Sequence, residues 1–148
     1  MARSQTILLV EDDPNDVLLI RKAIQQSLAG IPLAVVGNGE EGMRYLRGEG
    51  VFADRTQYPF PEIVLLDLKM PLMNGFELLR WVRSQPNLKR LPVIIFTGSV
   101  QDSDSQMAFE HGANSYIVKP SEFNQMAEAV RNVGEFWLKT TMLPDLNA

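Results

Sequence analysis

The sequence predicts an α/β fold built on a doubly wound parallel sheet, and three observations predict it. Five short runs rich in Val and Ile stand out: Thr6–Val10, Pro32–Val36, Ile63–Leu66, Val93–Phe96 and Ser115–Val118. They are mostly continuous rather than alternating, which is how strands covered on both faces read. Longer stretches of helical period separate them, and strand alternating with helix five times over calls for right-handed crossovers and helices on both faces. At 148 residues the chain fits a single domain, with its core at about residues 6–140.

Each element has its own signal. The first strand runs into Glu11, Asp12 and Asp13, and Val17, Ile20, Ile24 and Leu28 then step by three and four as one helical stripe. Asp13, next to Pro14, reads equally as the cap of that helix or as an acid in the outer shell of a cation. After the second strand, Arg47–Pro61 carries Gly48, Gly50, Pro59 and Pro61 with no clear period. It is longer than the ~2–6 residues usual for such a connection and reads as a surface insertion over 47–61. The third strand ends in Asp67, and Asn74–Gly75 opens a helix carrying Phe76, Leu79 and Val82. The fourth ends in Thr97, Gly98 and Ser99, with Asp102 and Ser103 as caps for the next helix. His111, just before Gly112, fits that helix's C-terminal end as a dipole partner. The fifth strand ends in Lys119 and Pro120. Ser121 with Glu122 then starts a last helix whose Met126, Val130, Val133 and Trp137 share a face, running to about Lys139. The tail, residues 142–148, is expected to fray.

Composition removes several function classes. With no Cys and one His, disulfides, zinc–thiolate sites and cysteine nucleophiles are excluded, and His-based metal cages with them. A net charge of −4 has the wrong sign for a generic nucleic-acid binder. No apolar run approaches the ~18 residues of a membrane span, and the acidic turn at Glu11 does not suit a cleaved secretory signal. The expectation is a cytoplasmic protein with no nucleic-acid or membrane partner.

What collects at the carboxyl ends of the strands is the functional clue, because ligands of open α/β sheets sit there. Glu11, Asp12, Asp13, Asp67, Thr97 and Lys119 all fall on that edge. Neighbouring strands lie only ~5 Å apart. If the first and third are adjacent, Asp12 and Asp67 share a site, and their repulsion calls for a divalent cation with oxygen ligands, Mg²⁺ or Mn²⁺.

Four motifs in order, LLVEDDP, IVLLDLKMPLMNG, VIIFTGS and YIVKP, resemble the receiver domain of two-component response regulators over roughly Thr6 to Trp137. The resemblance implies strand order 2-1-3-4-5 and a phosphoryl group accepted on Asp67 from a sensor histidine kinase. It implies Mg²⁺ held by Asp12, Asp67 and the backbone carbonyl of Lys69, with Glu11 acting through water. Thr97 and Lys119 would stabilise the phosphoryl oxygens, and Gly98 would leave room for the donor. Pro120, in a cis peptide, would aim Lys119, while Thr97 and Tyr116 would form the switch. Lys69 and Ser99 fall at positions that tune hydrolysis of the aspartyl phosphate. The chain would be no true enzyme, only a phosphoacceptor with Mg²⁺-dependent self-phosphorylation and slow autodephosphorylation. The long interval before the third strand and the extended last helix are similar to stand-alone phytochrome-associated response regulators. A receiver-shaped adaptor that works without phosphorylation is the alternative. Phe136, Trp137 and Leu138 cannot all face one helical stripe; at least one should be exposed, which points to a homodimer interface.

Overall fold

In the computed structural model, which describes residues 5–146, the five runs form one parallel sheet in the order β2-β1-β3-β4-β5. The strands are β1 (Ile7–Val10), β2 (Leu33–Val36), β3 (Ile63–Leu66), β4 (Val93–Thr97) and β5 (Ser115–Val118). The helices are α1 (Pro14–Ser27), α2 (Gly39–Arg47), α3 (Gly75–Ser84), α4 (Asp102–Glu110) and α5 (Phe123–Gly134). The register pairs Val10 with Leu66 and with Val36. The residues after β1 and β3, Glu11 and Asp67, therefore leave the sheet side by side.

The continuous apolar runs are explained by burial on both faces. Alternate side chains of one strand point to opposite faces. Ile7, Leu9, Ile63, Leu65, Ile94 and Phe96 pack under α1 and α5, with Ile20, Ile24, Met126 and Val130. Leu8, Val10, Val64, Leu66, Val93 and Ile95 pack on the other face, with Tyr45 and Leu46 of α2 and Leu78, Leu79 and Val82 of α3. α1 and α5 approach so closely that a Cβ on Gly134 would sit 2.4 Å from the Leu28 methyls.

Helix entries follow local chemistry. Asp13 caps α1, its carboxylate accepting from the Asn15 N–H at 2.8 Å, which decides between its two readings. Asn38 caps α2 by accepting from the Glu41 N–H, a helix that carries no long apolar stripe of its own. Asn74 and Glu77 form a reciprocal capping box at α3, worth about 1 kcal/mol. Glu122 caps α5. The expected Asp102 or Ser103 cap is not what starts α4. Gln101 stands at the cap position without a side-chain bond; the Ser99 hydroxyl instead accepts from the Gln101 N–H and donates to Asp104. His111 stands at the C-terminal cap of α4, as expected.

Two irregular segments make specific contacts with the core. The 47–61 insertion is tied to the core by its aromatic residues and Arg55. It holds a 3-10 turn at Gly50–Ala53, and Phe52 is buried against Tyr45 and Tyr58, with ring centroids 5.0 and 5.2 Å away. Tyr45 donates to the Pro59 carbonyl at 2.8 Å, and the Arg55 guanidinium to the carbonyls of Leu46 and Tyr58. Buried aromatic area and satisfied carbonyls offset the ordering entropy of a long loop. The tail is held as well: Leu143 packs on the α1/α5 side, Leu146 on the opposite core, and Arg90 donates to the Asp145 carbonyl. Residues 147–148 of that expected frayed tail lie outside the described residues.

α5 continues as a π-helical segment, Glu135–Thr140, closed by the Thr141 N–H on the Phe136 carbonyl. The wider turn sends Trp137 and Leu138 onto the α1/α5 core and leaves Phe136 49% exposed.

Gly75 is where the fold bears directly on the strand edge. A Cβ there would lie 2.2 Å from the Asp67 carbonyl oxygen and 2.8 Å from the Leu68 Cα, both backbone atoms that cannot give way cheaply. Gly75→Ala is expected to destabilise the fold by about 2–3 kcal/mol, read as a lowered urea midpoint with an unchanged m-value.

Candidate functional site

The carboxyl edge of the sheet gathers charged groups that are far apart in sequence. Glu11 leaves β1 buried, its Oε2 accepting from the Asp13 N–H at 3.1 Å. Asp67 leaves β3 buried, with Oδ1 held by the Leu68 N–H at 2.8 Å. Lys119 follows β5, where its own N–H bonds the Thr97 carbonyl at 2.7 Å. Its ammonium donates to the carboxylates of Glu11, of Asp16 at 2.8 Å and of Asp67 at 3.4 Å. One buried cation thus joins β1, α1 and β3.

The electrostatics follow from burial. Desolvation pushes the Glu11 carboxyl up to about 7, with the Asp67 charge adding to it, against the opposing pull of the Lys119 contact. Burial works to lower the Lys119 ammonium, but its hydrogen bonds to Asp16 and Glu11 and the charge of Asp67 prevail and hold it above the ordinary lysine range.

Glu11, Asp12 and Asp67 each offer one carboxylate oxygen within 4.8 Å of the others. Oxygens around one hard divalent cation at ~2.1–2.5 Å span about that range. With Asp16 there are four carboxylates at this edge, three of them on the single Lys119 ammonium, an imbalance that such a cation would correct. Lys69 lines the same opening, although its exposed ammonium turns away to Asp104, 3.3 Å distant.

Beside Asp67 lies a cleft of about 420 Å³, lined by Asp67, Lys69, Thr97, Gly98, Ser99, Val100 and Gln101. Thr97 is buried at its inner wall, and its hydroxyl accepts weakly from the Ser99 N–H at 3.4 Å. Nothing lies within 4 Å of where a Gly98 Cβ would point, so that wall is open. Tyr116 is half-buried against the α2/α3/α4 core, and its hydroxyl donates to the Ser99 carbonyl at 3.1 Å.

The structure therefore brings Glu11, Asp12, Asp67, Thr97 and Lys119 together, with Lys69 and Gly98 at the rim and Tyr116 behind the β4–α4 connection. It places Phe136, Trp137 and Leu138 on the separate C-terminal segment. The Lys119–Pro120 peptide is trans, since no cis peptide occurs among the described residues. This corrects the expectation of a cis bond: trans is favoured by ~0.5–1 kcal/mol for a residue before proline, and the β5 ladder and three carboxylates already aim the lysine. Sequence reading missed Asp16 and Asp104. Asp16 looks like an ordinary first-turn acid favoured by the helix dipole, and only the reach of the Lys119 side chain from the end of β5 to the start of α1 reveals its lysine.

A doubly wound parallel sheet with an acid cluster, a buried hydroxyl and a lysine at its carboxyl edge defines a phosphoryl-receiving signalling domain. The chain belongs to the response regulator receiver domain family, which residues 7–131 match. It is 31% identical over 140 residues to the response regulator Rcp1 of Synechocystis sp., covering 95% of this chain and 93% of that one. The crystal structure of the phosphorylated cyanobacterial phytochrome response regulator RcpA superimposes with a TM-score of 0.87 at 36% identity, covering 95% of this chain and 99% of that one. The Mn²⁺-bound form of Rcp1 superimposes with a TM-score of 0.83 at 31% identity, covering 95% and 99%. The chain is thus a response regulator similar over its length to phytochrome response regulators. No helix among the described residues is long and apolar enough to cross a membrane.

Because folding raises the Glu11 pKa from 4.5 to about 7, the folded state binds more protons than the unfolded one between those values. The stability contributed by protonated Glu11 is complete below about 4.5 and lost as pH rises to about 7. Glu11→Gln is expected to lose on the order of 1–3 kcal/mol less than wild type between pH 5 and 7.5, measured by urea unfolding at both pH values.

Proposed function

We propose that the protein is a phosphorylation-driven switch whose phosphoacceptor is Asp67. The observation that carries this reading is the cluster of Glu11, Asp12 and Asp67 carboxylates at the carboxyl edge of the sheet, with Lys119 bridging two of them. Asp67 is the acid of that cluster that also lines the cleft. Its Oδ1 is occupied by the Leu68 N–H, which leaves Oδ2, now facing Lys119, as the attacking atom.

The donor is a sensor histidine kinase, a phytochrome in view of the relatives. Oδ2 forms its bond to phosphorus as the phosphorus–nitrogen bond of the donor's phosphohistidine breaks, and the electron pair leaves with the imidazole nitrogen. Asp12, Asp67 and the Lys69 carbonyl would hold Mg²⁺ directly, with Glu11 through water, as the Mn²⁺-bound form of Rcp1 makes chemically reasonable. Mn²⁺ would serve in its place. When bound, the cation supplies charge neutralisation at the phosphoryl oxygens. Lys119 exchanges its Asp67 contact for a phosphoryl oxygen, and the Thr97 hydroxyl donates to another. The open wall at Gly98 admits the donor. The same machinery supports self-phosphorylation from small phosphodonors and slow hydrolysis of the aspartyl phosphate.

Phosphorylation adds up to two negative charges. As Thr97 moves toward them, Tyr116 turns into the vacated space, and the face made by α4, β5 and α5 changes shape for a protein partner. Phe136, the exposed member of its trio, is the apolar anchor of a homodimer. With a histidine kinase as its donor, the protein acts in the cytoplasm.

Incubation with Mg²⁺ and a small phosphodonor is expected to add one phosphoryl group by intact-mass spectrometry. Asp67→Asn and chelator each abolish the gain, and a gain that survives Asp67→Asn would refute the assignment. Mg²⁺ at a hundredfold excess over its Kd is expected to stabilise the fold by about 2.7 kcal/mol. Asp12→Asn removes most of that increment in urea unfolding with and without the ion.

A further inference from the structure

Asp104 lies in the first turn of α4 and is 7% exposed, an unusual place for a charge unless it is paired. It has two partners. The Ser99 hydroxyl donates to its Oδ2 at 2.6 Å, and the Lys69 ammonium stands 3.3 Å from the same atom. The hydrogen bond from Ser99, with Lys69 in support, holds its carboxyl below the usual range. Ser99 alone would make this a helix-entry motif. Lys69 makes it more, because both Lys69 and Ser99 line the cleft beside Asp67, and the Ser99 carbonyl also holds the Tyr116 hydroxyl at 3.1 Å.

We propose that Asp104 is a positioning residue that parks the Lys69 ammonium beside the cleft, and that a phosphoryl group on Asp67 competes with Asp104 for it. This rests on Asp67 as the phosphoacceptor. Before phosphorylation the two anions are a buried carboxylate with a partner at 3.3 Å and an Asp67 already served by Lys119, so Lys69 stays on Asp104. Phosphorylation places a dianion at the cleft floor, and the long, exposed stem of Lys69 lets its head swing across. Asp104 then loses the Lys69 ammonium and keeps the Ser99 hydroxyl. The first turn of α4, and through the Ser99 carbonyl the Tyr116 hydroxyl, respond to that loss. Coupling of this kind is reciprocal: whatever weakens the hold of Asp104 on Lys69 strengthens the hold of the cleft on a phosphoryl group.

The probe is beryllofluoride with Mg²⁺, a phosphoryl mimic that adds to the acceptor carboxylate, followed by ¹⁹F NMR titration. Asp104→Asn keeps the size of the side chain and an acceptor for Ser99 and removes the charge. It is expected to tighten beryllofluoride about threefold to tenfold in the wild-type background and by less than twofold when Lys69→Ala is also present. A purely structural role at the helix entry would change affinity equally in both backgrounds, and that result overturns the proposal. Hydrogen exchange at the α4 first-turn amides is the second readout, and it decides alone if Asp104→Asn fails to fold. Beryllofluoride is expected to speed that exchange in the wild type and to leave it unchanged in Lys69→Ala. Equal responses overturn the proposal. A wild type with no bound ¹⁹F resonance refutes the phosphoacceptor reading itself; bound resonance with no Lys69-dependent coupling refutes the Asp104 proposal alone.

Discussion

The Lys119 ammonium sits among carboxylates that would otherwise repel one another, and much of the carboxyl edge depends on that contact. Glu11 and Asp67 leave adjacent strands because Val10 and Leu66 are in register, and Asp16 joins from α1. Removing charges of one sign from water is costly, and a partner held by good geometry makes it bearable. The lysine gains its position from the β4–β5 ladder rather than from its flexible stem. A domain whose resting state is held by one cation among excess carboxylates is poised to respond when charge is added.

The scaffold around that contact is rigid where it must be. Both faces of the sheet are covered, so the strand ends are fixed by two cores packed from opposite sides. Gly75 lets α3 begin directly over the Asp67 carbonyl, and its capping box anchors the loop between them. The adaptable part is the β4–α4 connection. There Gly98 has open space, Ser99 is half-buried, and the Ser99–Asp104–Lys69 and Tyr116–Ser99 contacts are polar and exchangeable. A stiffly held carboxylate beside an exchangeable wall is the arrangement a bistable switch needs.

The elaborations of this chain lie away from the site. The 47–61 insertion is closed by its aromatic cluster and by Arg55, whose guanidinium also lies over the Tyr45 and Phe60 rings. The C-terminal extension widens into a π-helical turn, which buries Trp137 and Leu138 and presents Phe136. Both read as irregular or merely long in sequence, since neither aromatic docking nor a changed helical pitch has a linear period.

The sequence by itself determined the α/β class, all five strand ends within a residue, and the meeting of Glu11, Asp12, Asp67, Thr97 and Lys119 at the carboxyl edge. It could do so because burial on both faces and the motifs at strand ends are written locally. It left Asp13 between cap and outer-shell acid, because both roles want the same residue beside Pro14; backbone geometry decided for the cap. It expected a cis bond before Pro120, where the fold holds Lys119 from a trans one. Asp16 and Asp104 were invisible, since each is an ordinary first-turn acid until a lysine arrives from elsewhere in the chain. Which acid meets which lysine depends on strand order, register and helix packing, and these long-range distances exist only in the folded chain.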